Sequence, residues 1–443
     1  MIIKESGVKN MKVAFYTLGC KVNQYETDLM KKSFVDAGYE IVDVKEMADI
    51  YVVNSCSVTN LSTRKTRQLL SRAKATGGIV VLVGCYAQEI KDRCDIKNAD
   101  IVLGNEEKKD IVTCVEKYLE HSKRHMQSNY YKISDIGSIK KYVQKDMLTK
   151  GINVRESIKI EDGCNNFCSY CIIPYVRGRV RSRSLESIVA EVKSLVASGV
   201  GEVVLVGIEI ASYGKDLEEN LSLIDVIEQV ANVKGLQRVR LGSLEPRVLT
   251  DEVIERLSRI SNLCPHFHLS VQSLDNQVLQ NMNRKYTRED VFSIVEKMKA
   301  CIKNISFTCD IIVGFPGETE EEFMHTMEGV KRIGFYELHV FKYSKRKWTR
   351  AEKMKDQVDG NVANERSEKL IALGENLKKS YLTSYLGKRL PVLFESYKAG
   401  YLYGYTPNYI KVKVRGDRKL WGCQSEIELV SIEDETVLGN ICP

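Results

Sequence analysis

Cys164, Cys168 and Cys171 stand at CxxxCxxC spacing in the run Glu161-Asp162-Gly163-Cys164-Asn165-Asn166-Phe167-Cys168-Ser169-Tyr170-Cys171, after a strand-like segment and before alternating arginines. Iron–sulfur clusters are held by cysteine thiolates, and a four-iron cubane held by only three cysteines keeps one iron open to an outside ligand. A structural zinc site wants four ligands, typically as two CxxC pairs, and no fourth Cys or His lies close by in sequence. Disulfides suit secreted chains, whereas here the cysteine count is odd, at 13, most cysteines lie far apart, and no signal peptide is recognisable. The triplet therefore reads as a cluster site whose open iron is where chemistry takes place.

A second set is dispersed. Cys20 follows Thr-Leu-Gly, Cys56 follows Val-Asn-Ser and Cys85 follows Leu-Val-Gly, each at the end of a short apolar run. If those runs are parallel strands, all three thiols sit at the carboxyl edge of one sheet, where such sheets bind ligands. The alternative is three small buried hydrophobes, a common fate of free cysteine, and spacing alone does not separate the two. Cys94 and Cys114 fall in helix-like stretches and read as structural; Cys264, Cys301, Cys309, Cys423 and Cys442 show no ligand pattern.

The elements that must position these thiols follow from the hydropathy pattern. A chain of 443 residues is long enough for two or three domains, each with its own core. From Met11 to about Val115, the runs Val13 to Leu18, Ile50 to Val53, Ile79 to Gly84 and Ile101 to Leu103 alternate with helix-length stretches, which predicts an open parallel α/β sheet in a domain over 1–125. A polar stretch, 126–150, reads as a linker. Across 151–380, strands at Ser157 to Ile160, Glu202 to Val206, Arg238 to Leu241, His266 to Val271, Ser306 to Val313 and Leu338 to Phe341 predict a partial (β/α)6 barrel, with the CxxxCxxC run in its first top loop. Val362 to Tyr385 reads as a long helix, and 381–443 as a small all-β domain with strands at Leu390 to Glu395, Tyr409 to Val414 and Glu426 to Val430.

The formal charge of +7 is compatible with a nucleic-acid partner, and its clustering is more telling. Arg177, Arg179, Arg181 and Arg183 form one basic run; Lys342, Lys345, Arg346, Lys347 and Arg350 form another. Both suit phosphate contacts, and Tyr405, Tyr409 and Lys411 mix aromatics and bases as RNA stacking requires, although strand aromatics filling a small core would look the same. No apolar run is long enough to span a bilayer, so the expected location is the cytoplasm, without a membrane partner.

Seven segments in order resemble the radical S-adenosylmethionine (SAM) methylthiotransferases, over nearly the whole chain. They are Thr17-Leu-Gly-Cys-Lys-Val-Asn-Gln-Tyr-Glu, Asn54-Ser-Cys-Ser-Val-Thr, Gly84-Cys-Tyr-Ala-Gln, the CxxxCxxC, Arg177-Gly-Arg-Val-Arg-Ser-Arg, Asp310-Ile-Ile-Val-Gly-Phe-Pro-Gly-Glu-Thr and Gly404-Tyr-Thr-Pro-Asn-Tyr-Ile. The first and last are most similar to the branch acting on N6-threonylcarbamoyladenosine at position 37 of tRNA; branches acting on isopentenyladenosine or a ribosomal protein fit less well.

The resemblance implies an amino-terminal cluster domain, a radical SAM barrel and a carboxyl-terminal TRAM domain. It implies two [4Fe-4S] clusters: one on Cys164, Cys168 and Cys171 that cleaves SAM to a 5′-deoxyadenosyl radical, and an auxiliary one on Cys20, Cys56 and Cys85 that carries the sulfur to be delivered. The adenine C2–H has no proton to lose at neutral pH, so a radical must take the hydrogen, while the protein positions the cofactors. The implied partners are a tRNA anticodon stem-loop, whose single-stranded loop lets the target base leave its stack, and an electron donor such as flavodoxin or ferredoxin.

By match to the family pattern, Tyr170, Glu209, Ser243, Glu245, Gln272 and Arg284 are candidate SAM contacts, Arg284 being suited to a carboxylate. The RNA-contact candidates are Arg177, Arg179, Arg181, Arg183, Lys345, Arg346, Tyr405, Tyr409 and Lys411. The chain departs from the pattern in several places. Glu209 replaces the usual Asn, Leu274 and Asp275 replace small residues, Lys342 replaces Pro and Trp348 replaces Gly. Bulk at Leu274 is expected to narrow the SAM pocket, and Trp348 either fills space or stacks on a base. These departures leave open a changed substrate or a non-catalytic, cluster-containing RNA-binding homologue.

Overall fold

The computed structural model describes residues 11–92, 96–123, 129–143, 153–219 and 221–442. Cys94 lies outside them, as do residues 126–128 and 144–150 of the expected linker.

The first unit is one sheet of strands β1 (Lys12–Thr17), β2 (Glu40–Ile41), β3 (Ile50–Ser55), β4 (Ile79–Gly84), β5 (Ile101–Leu103) and β6 (Tyr130–Lys132) in the order β2-β1-β3-β4-β5-β6, with every pairing parallel. Helices α1 (Lys21–Asp36), α2 (Asn60–Lys74), α3 (Cys85–Glu89) and α4 (Ile111–Lys123) connect them. Successive side chains of a strand face opposite ways, so Val52 joins the core of one face, with Phe15 and Phe34, while Tyr51 and Val53 join the core of the other, with Ala14 and Leu82. Cys114 is packed in the first of these cores. β6 corrects the expected linker: Tyr130–Lys132 pairs with β5. A three-residue edge strand with a polar surround leaves no hydropathy signal.

The second unit carries β7 (Arg155–Lys159), β8 (Glu161–Asp162), β9 (Arg181–Ser182), β10 (Glu202–Val206), β11 (Arg238–Leu241), β12 (Ser243–Leu244), β13 (His266–Gln272), β14 (Ser306–Val313) and β15 (Glu337–Lys342). Parallel sheets β7-β10-β11 and β12-β13-β14-β15 meet where Gly242 separates β11 from β12, giving a curved six-step parallel barrel. Outside it run α6 (Leu185–Ala197), α7 (Leu223–Ala231), α8 (Asp251–Ser258), α10 (Arg288–Cys301) and α11 (Glu320–Ile333); short α5 (Ile173–Val176) and α9 (Asn276–Asn281) follow the cysteine loop and β13. Reciprocal Thr287/Asp290 and Thr319/Glu322 capping boxes start α10 and α11.

Helix α12 (Gly360–Thr383) leads to a closed barrel of β16 (Arg389–Lys398), β17 (Tyr401–Tyr405), β18 (Lys411–Arg415), β19 (Gln424–Glu433) and β20 (Thr436–Ile441), around Val392, Phe394, Leu402, Val412 and Ile427. This small barrel docks on the amino ends of the parallel strands. Arg238 Nη1 donates to the Tyr405 carbonyl at 2.8 Å and Arg240 Nη1 to that of Pro407 at 2.9 Å, and Ser306 Oγ donates to that of Asn408 at 2.8 Å. Among the described residues, no helix is long and apolar enough to cross a membrane.

Candidate functional site

The parallel order of β1, β3 and β4 brings the three dispersed cysteines to one edge. Cys20 caps α1, Cys56 follows β3 and Cys85 opens α3. They lie within electrostatic reach of one another: burial, then Cys85, and more weakly Cys20, push the Cys56 thiol up to about 11. A Cβ on Gly19, whose φ is +99°, would lie 2.9 Å from Cys56 Cβ and 3.1 Å from its Sγ, so only glycine lets the Cys20 turn pass this close. Cys20 is exposed, unlike a core hydrophobe. The Cys85 sulfur accepts from Arg177 Nε at 3.4 Å and Asn105 Nδ2 at 3.8 Å, donors suited to a thiolate.

The CxxxCxxC loop is gripped from several sides. β8 and β9 pair antiparallel at its base. Gly163, at φ +87°, passes so close to β9's approach that a Cβ would lie 1.9 Å from the Arg179 carbonyl oxygen. The Cys164 N–H donates to the Gly178 carbonyl at 3.1 Å, the Ser169 N–H to that of Met282 at 2.9 Å, and the Ala351 N–H to that of Ser169 at 2.8 Å. Asn166 N–H donates to Cys164 Sγ and Arg284 Nη1 to Cys168 Sγ, both at 3.4 Å. Burial pushes the Cys171 thiol up to about 12, and the Cys164 thiol further. Metal coordination reverses that preference, because a ligating thiol is deprotonated.

The donor chemistry of both sets fits an iron–sulfur cluster: three thiols each, with N–H donors already turned toward sulfur. Among the described residues, no group of three His, Cys, Asp or Glu side chains is arranged to hold a single metal ion.

Beside Cys164, Asn166 Nδ2 donates to Glu209 Oε2 at 3.1 Å and to Glu245 Oε2 at 3.3 Å. Glu209 Oε1 is buried without a partner, and burial, then the Glu245 charge, push its carboxyl up to about 7. An unmet buried acceptor facing a second carboxylate invites a cation, and an ammonium group meets that need. Glu161 adds a third acid, its Oε2 accepting from the Glu209 N–H at 2.8 Å. Arg284 is buried and fixed, Nη2 on the Ser270 carbonyl at 2.7 Å and Nε on the Tyr286 hydroxyl at 2.8 Å. Gln272 takes a left-handed φ of +70° at a register shift in β13, Ser243 is exposed, and Tyr170 packs among Val278, Met282, Phe315 and Ala351. Asn166 and Glu161 were not anticipated, although both sit in the cysteine run.

Several expectations are corrected. Leu274 does not narrow a pocket: it is fully buried in the barrel core against α11, where a Cβ on Gly329 would lie 2.8 Å from its Cδ1. Asp275 caps α9, accepting from the Gln277 and Val278 N–H groups, and accepts from His325 at 2.8 Å.

Four arginines expected at RNA are buried in the protein instead. Arg177 pairs with Glu26 and Asp162, Arg181 with Asp162, Arg183 with Glu191, and Arg346 bonds Asn60 and Thr63. A desolvated guanidinium needs such fixed partners; Glu26 for Arg177, and Asn60 and Thr63 for Arg346, come from the amino-terminal unit, whereas Asp162 and Glu191 belong to the arginines' own unit. Tyr405 and Tyr409 stack on each other at 4.9 Å, and Tyr409 on His266 at 4.4 Å, with Arg155 and Arg240 over their faces. They serve the docking interface. Arg179, Lys345 and Lys411 are exposed.

Comparison with known proteins gives the family and the fold. The family model described as the radical SAM superfamily matches residues 158–330, and that described as uncharacterized protein family UPF0004 matches 12–104. The threonylcarbamoyladenosine tRNA methylthiotransferase of Bacillus subtilis (strain 168) is 40% identical over 418 residues, 93% of this chain and 92% of the relative. Its counterpart in Aquifex aeolicus (strain VF5) is 36% identical, over 93% and 98%. The tRNA-2-methylthio-N(6)-dimethylallyladenosine synthase of Lachnoclostridium phytofermentans is also 36% identical, over 96% and 94%. Among solved structures, the radical S-adenosylmethionine methyltransferase TsrM from Kitasatospora setae shares the fold, with TM-score 0.54 at 14% identity, over 77% of this chain and 74% of that one.

Proposed function

Because this chain belongs to the radical SAM tRNA methylthiotransferases, we propose that it adds a methylthio group to C2 of N6-threonylcarbamoyladenosine at position 37 of tRNA. The observation that carries the choice of nucleoside is the 40% identity, over 93% of this chain and 92% of the relative, with an enzyme named for that substrate. The Lys21-to-Glu26 and Gly404-to-Tyr409 segments support it by descent, since their side chains do structural work: Asn23 and Glu26 hold Arg177, and Asn408 accepts from Thr406 and donates to Tyr381.

In this reading Cys164, Cys168 and Cys171 hold one [4Fe-4S] cluster, and Cys20, Cys56 and Cys85 hold a second. With SAM and a one-electron donor of the flavodoxin or ferredoxin class, these groups supply a hydrogen-abstracting radical and the sulfur that replaces the hydrogen. The protein's own part is placement. Glu209 and Glu245 offer carboxylates for the methionyl ammonium, and Arg284 presents a fixed guanidinium beside Cys168. Asn166 ties both acids to the cysteine loop, so cluster and SAM are positioned by one set of hydrogen bonds. With Leu274 and Asp275 engaged elsewhere, two of the departures that favoured a non-catalytic homologue lose their force.

Mass spectrometry of tRNA nucleosides from cells with and without the gene tests the assignment. Loss of 2-methylthio-N6-threonylcarbamoyladenosine on deletion, restored by the wild type and not by Cys164→Ala, is expected. Loss of the dimethylallyl nucleoside alone would move the chain to the other branch.

A further inference from the structure

Trp348 takes the left-handed backbone that glycine favours, with φ +66°. Such a conformation is costly for an L residue and persists only where the surroundings enforce it. They do so here. The Trp348 N–H donates to Glu352 Oε2 at 3.2 Å, Thr349 Oγ1 donates to the Arg346 carbonyl at 2.7 Å, and Arg346 is anchored on Thr63 of α2 at 3.3 Å. The Ala351 N–H holds the other end of the loop to Ser169, between Cys168 and Cys171. One clamped loop thus bridges the helix that follows Cys56 and the loop that carries the other cysteine set.

The indole is 40% exposed, and its centroid lies 6.1 Å from the ring of Tyr175, itself 39% exposed. Tyr175 meets Phe167 edge-on at 5.8 Å, and the Arg179 guanidinium lies 4.5 Å above the Phe167 ring. Arg179 lies over this aromatic row, and Lys345, Lys347 and Arg350 belong to the loop of Trp348; all four are exposed, and none is in an ion pair among the described residues. Partly exposed apolar faces beside exposed cations match a nucleobase with its phosphates.

We propose that Trp348, backed by Tyr175 and Phe167, is the stacking platform for an unpaired base beside the target nucleoside, with Arg179 and Lys347 facing its phosphates. The proposal rests on tRNA being the substrate and is independent of which nucleoside is modified.

The test uses reconstituted holoenzyme and a labelled anticodon stem-loop RNA. The chain has two tryptophans, so Trp421→Phe leaves Trp348 as the sole indole reporter. Its emission should quench on RNA addition, and Trp348→Ala should weaken binding about tenfold or more while Trp348→Phe stays within about threefold. The slope of log Kd against log salt should not change with Trp348→Ala, whereas Arg179→Ala should flatten it. An RNA with an abasic site beside the target should bind more weakly, and Trp348→Ala should then add nothing. RNA-independent cleavage of SAM should be unchanged, which keeps folding separate from recognition. Binding by Trp348→Ala within twofold of wild type, or an equal loss on intact and abasic RNA, would overturn the platform. None of these readouts requires methylthio transfer, so a wrong nucleoside assignment would leave them standing.

Discussion

Arg177 donates its Nε–H to the sulfur of Cys85 at 3.4 Å, although the two residues belong to different units of the fold. The rest of its guanidinium is spent on Glu26 Oε1 at 2.5 Å, Asn23 Oδ1 at 2.5 Å and Asp162 Oδ1 at 3.2 Å. Burial alone would push the Glu26 carboxyl up, yet Arg177, with Lys108 and Lys159, outweighs it and holds the acid well below the usual carboxylate range. The residue that follows one cysteine set is thereby fixed against a thiol of the other.

Arg177→Ala should cost about 3–5 kcal/mol, because it leaves buried acids undercompensated. Chemical denaturation of the anaerobic protein measures this. Arg177→Lys keeps the charge and loses the fork, so it should cost less, while the midpoint potential of one cluster signal moves negative and the other holds, since a hydrogen bond to a ligating sulfur raises the potential. Equal shifts in both signals would contradict the contact with Cys85.

Iron analysis separates the two cysteine sets. Fully loaded wild type should hold about eight irons, and Cys20→Ala or Cys164→Ala each about four, with a different paramagnetic resonance signal lost in each. Zinc, or about four irons in the loaded wild type, would remove the second cluster.

Leu274→Ala returns small size to a position where the family pattern has it, yet it should not improve SAM binding. Its side chain lies in the core against Gly329, and the cavity left should cost about 2–5 kcal/mol. Denaturant midpoints and SAM-cleavage kinetics, measured together, read both effects. A lower KM for SAM at unchanged stability would restore the expected narrowing.

His266 gives a pH dependence. Burial first, then the charges of Arg240, His268, Arg155 and His339, hold its pKa well below 6.5; Nε2 meets Thr308 Oγ1 at 3.2 Å and Nδ1 is buried without a partner. The folded chain therefore keeps this ring neutral where the unfolded chain protonates it. Stability from this group is present above about pH 6.5 and falls as pH drops below, by up to about 1.4 kcal/mol per unit. Denaturation curves from pH 7.5 to 5.5 should show His266→Gln losing less than wild type over that interval, and parallel losses would refute it.

Strands such as β4, β10 and β14 were legible because burial on both faces writes near-continuous apolar runs; all six long barrel strands fall where hydropathy puts them. β6, β17 and β20 were not: β6 is a three-residue edge strand, and β17 and β20 are hairpin partners of β16 and β19 whose apolar patterns are broken by Gly404 and Gly439. The strand-end positions of Cys20, Cys56 and Cys85 were legible, while their approach to one another needed the sheet order. The arginines misled because sequence shows charge and not its partner: Arg177 and Arg179 look alike in the run, and one is fully buried while the other is exposed. Leu274 misled for the same reason, since a residue type does not reveal which side of the barrel wall it faces.

The small carboxyl-terminal barrel plugs the floor of the parallel barrel, at Arg238, His266 and Ser306, the first residues of their strands, whereas the cysteine loops open at the ceiling. Seven-residue β13 at about 3.3 Å per residue sets floor and ceiling roughly 23 Å apart. A lone nucleoside cannot reach from one to the other. An RNA that touched Lys411 while presenting a base at the ceiling would have to span that separation along the outer wall.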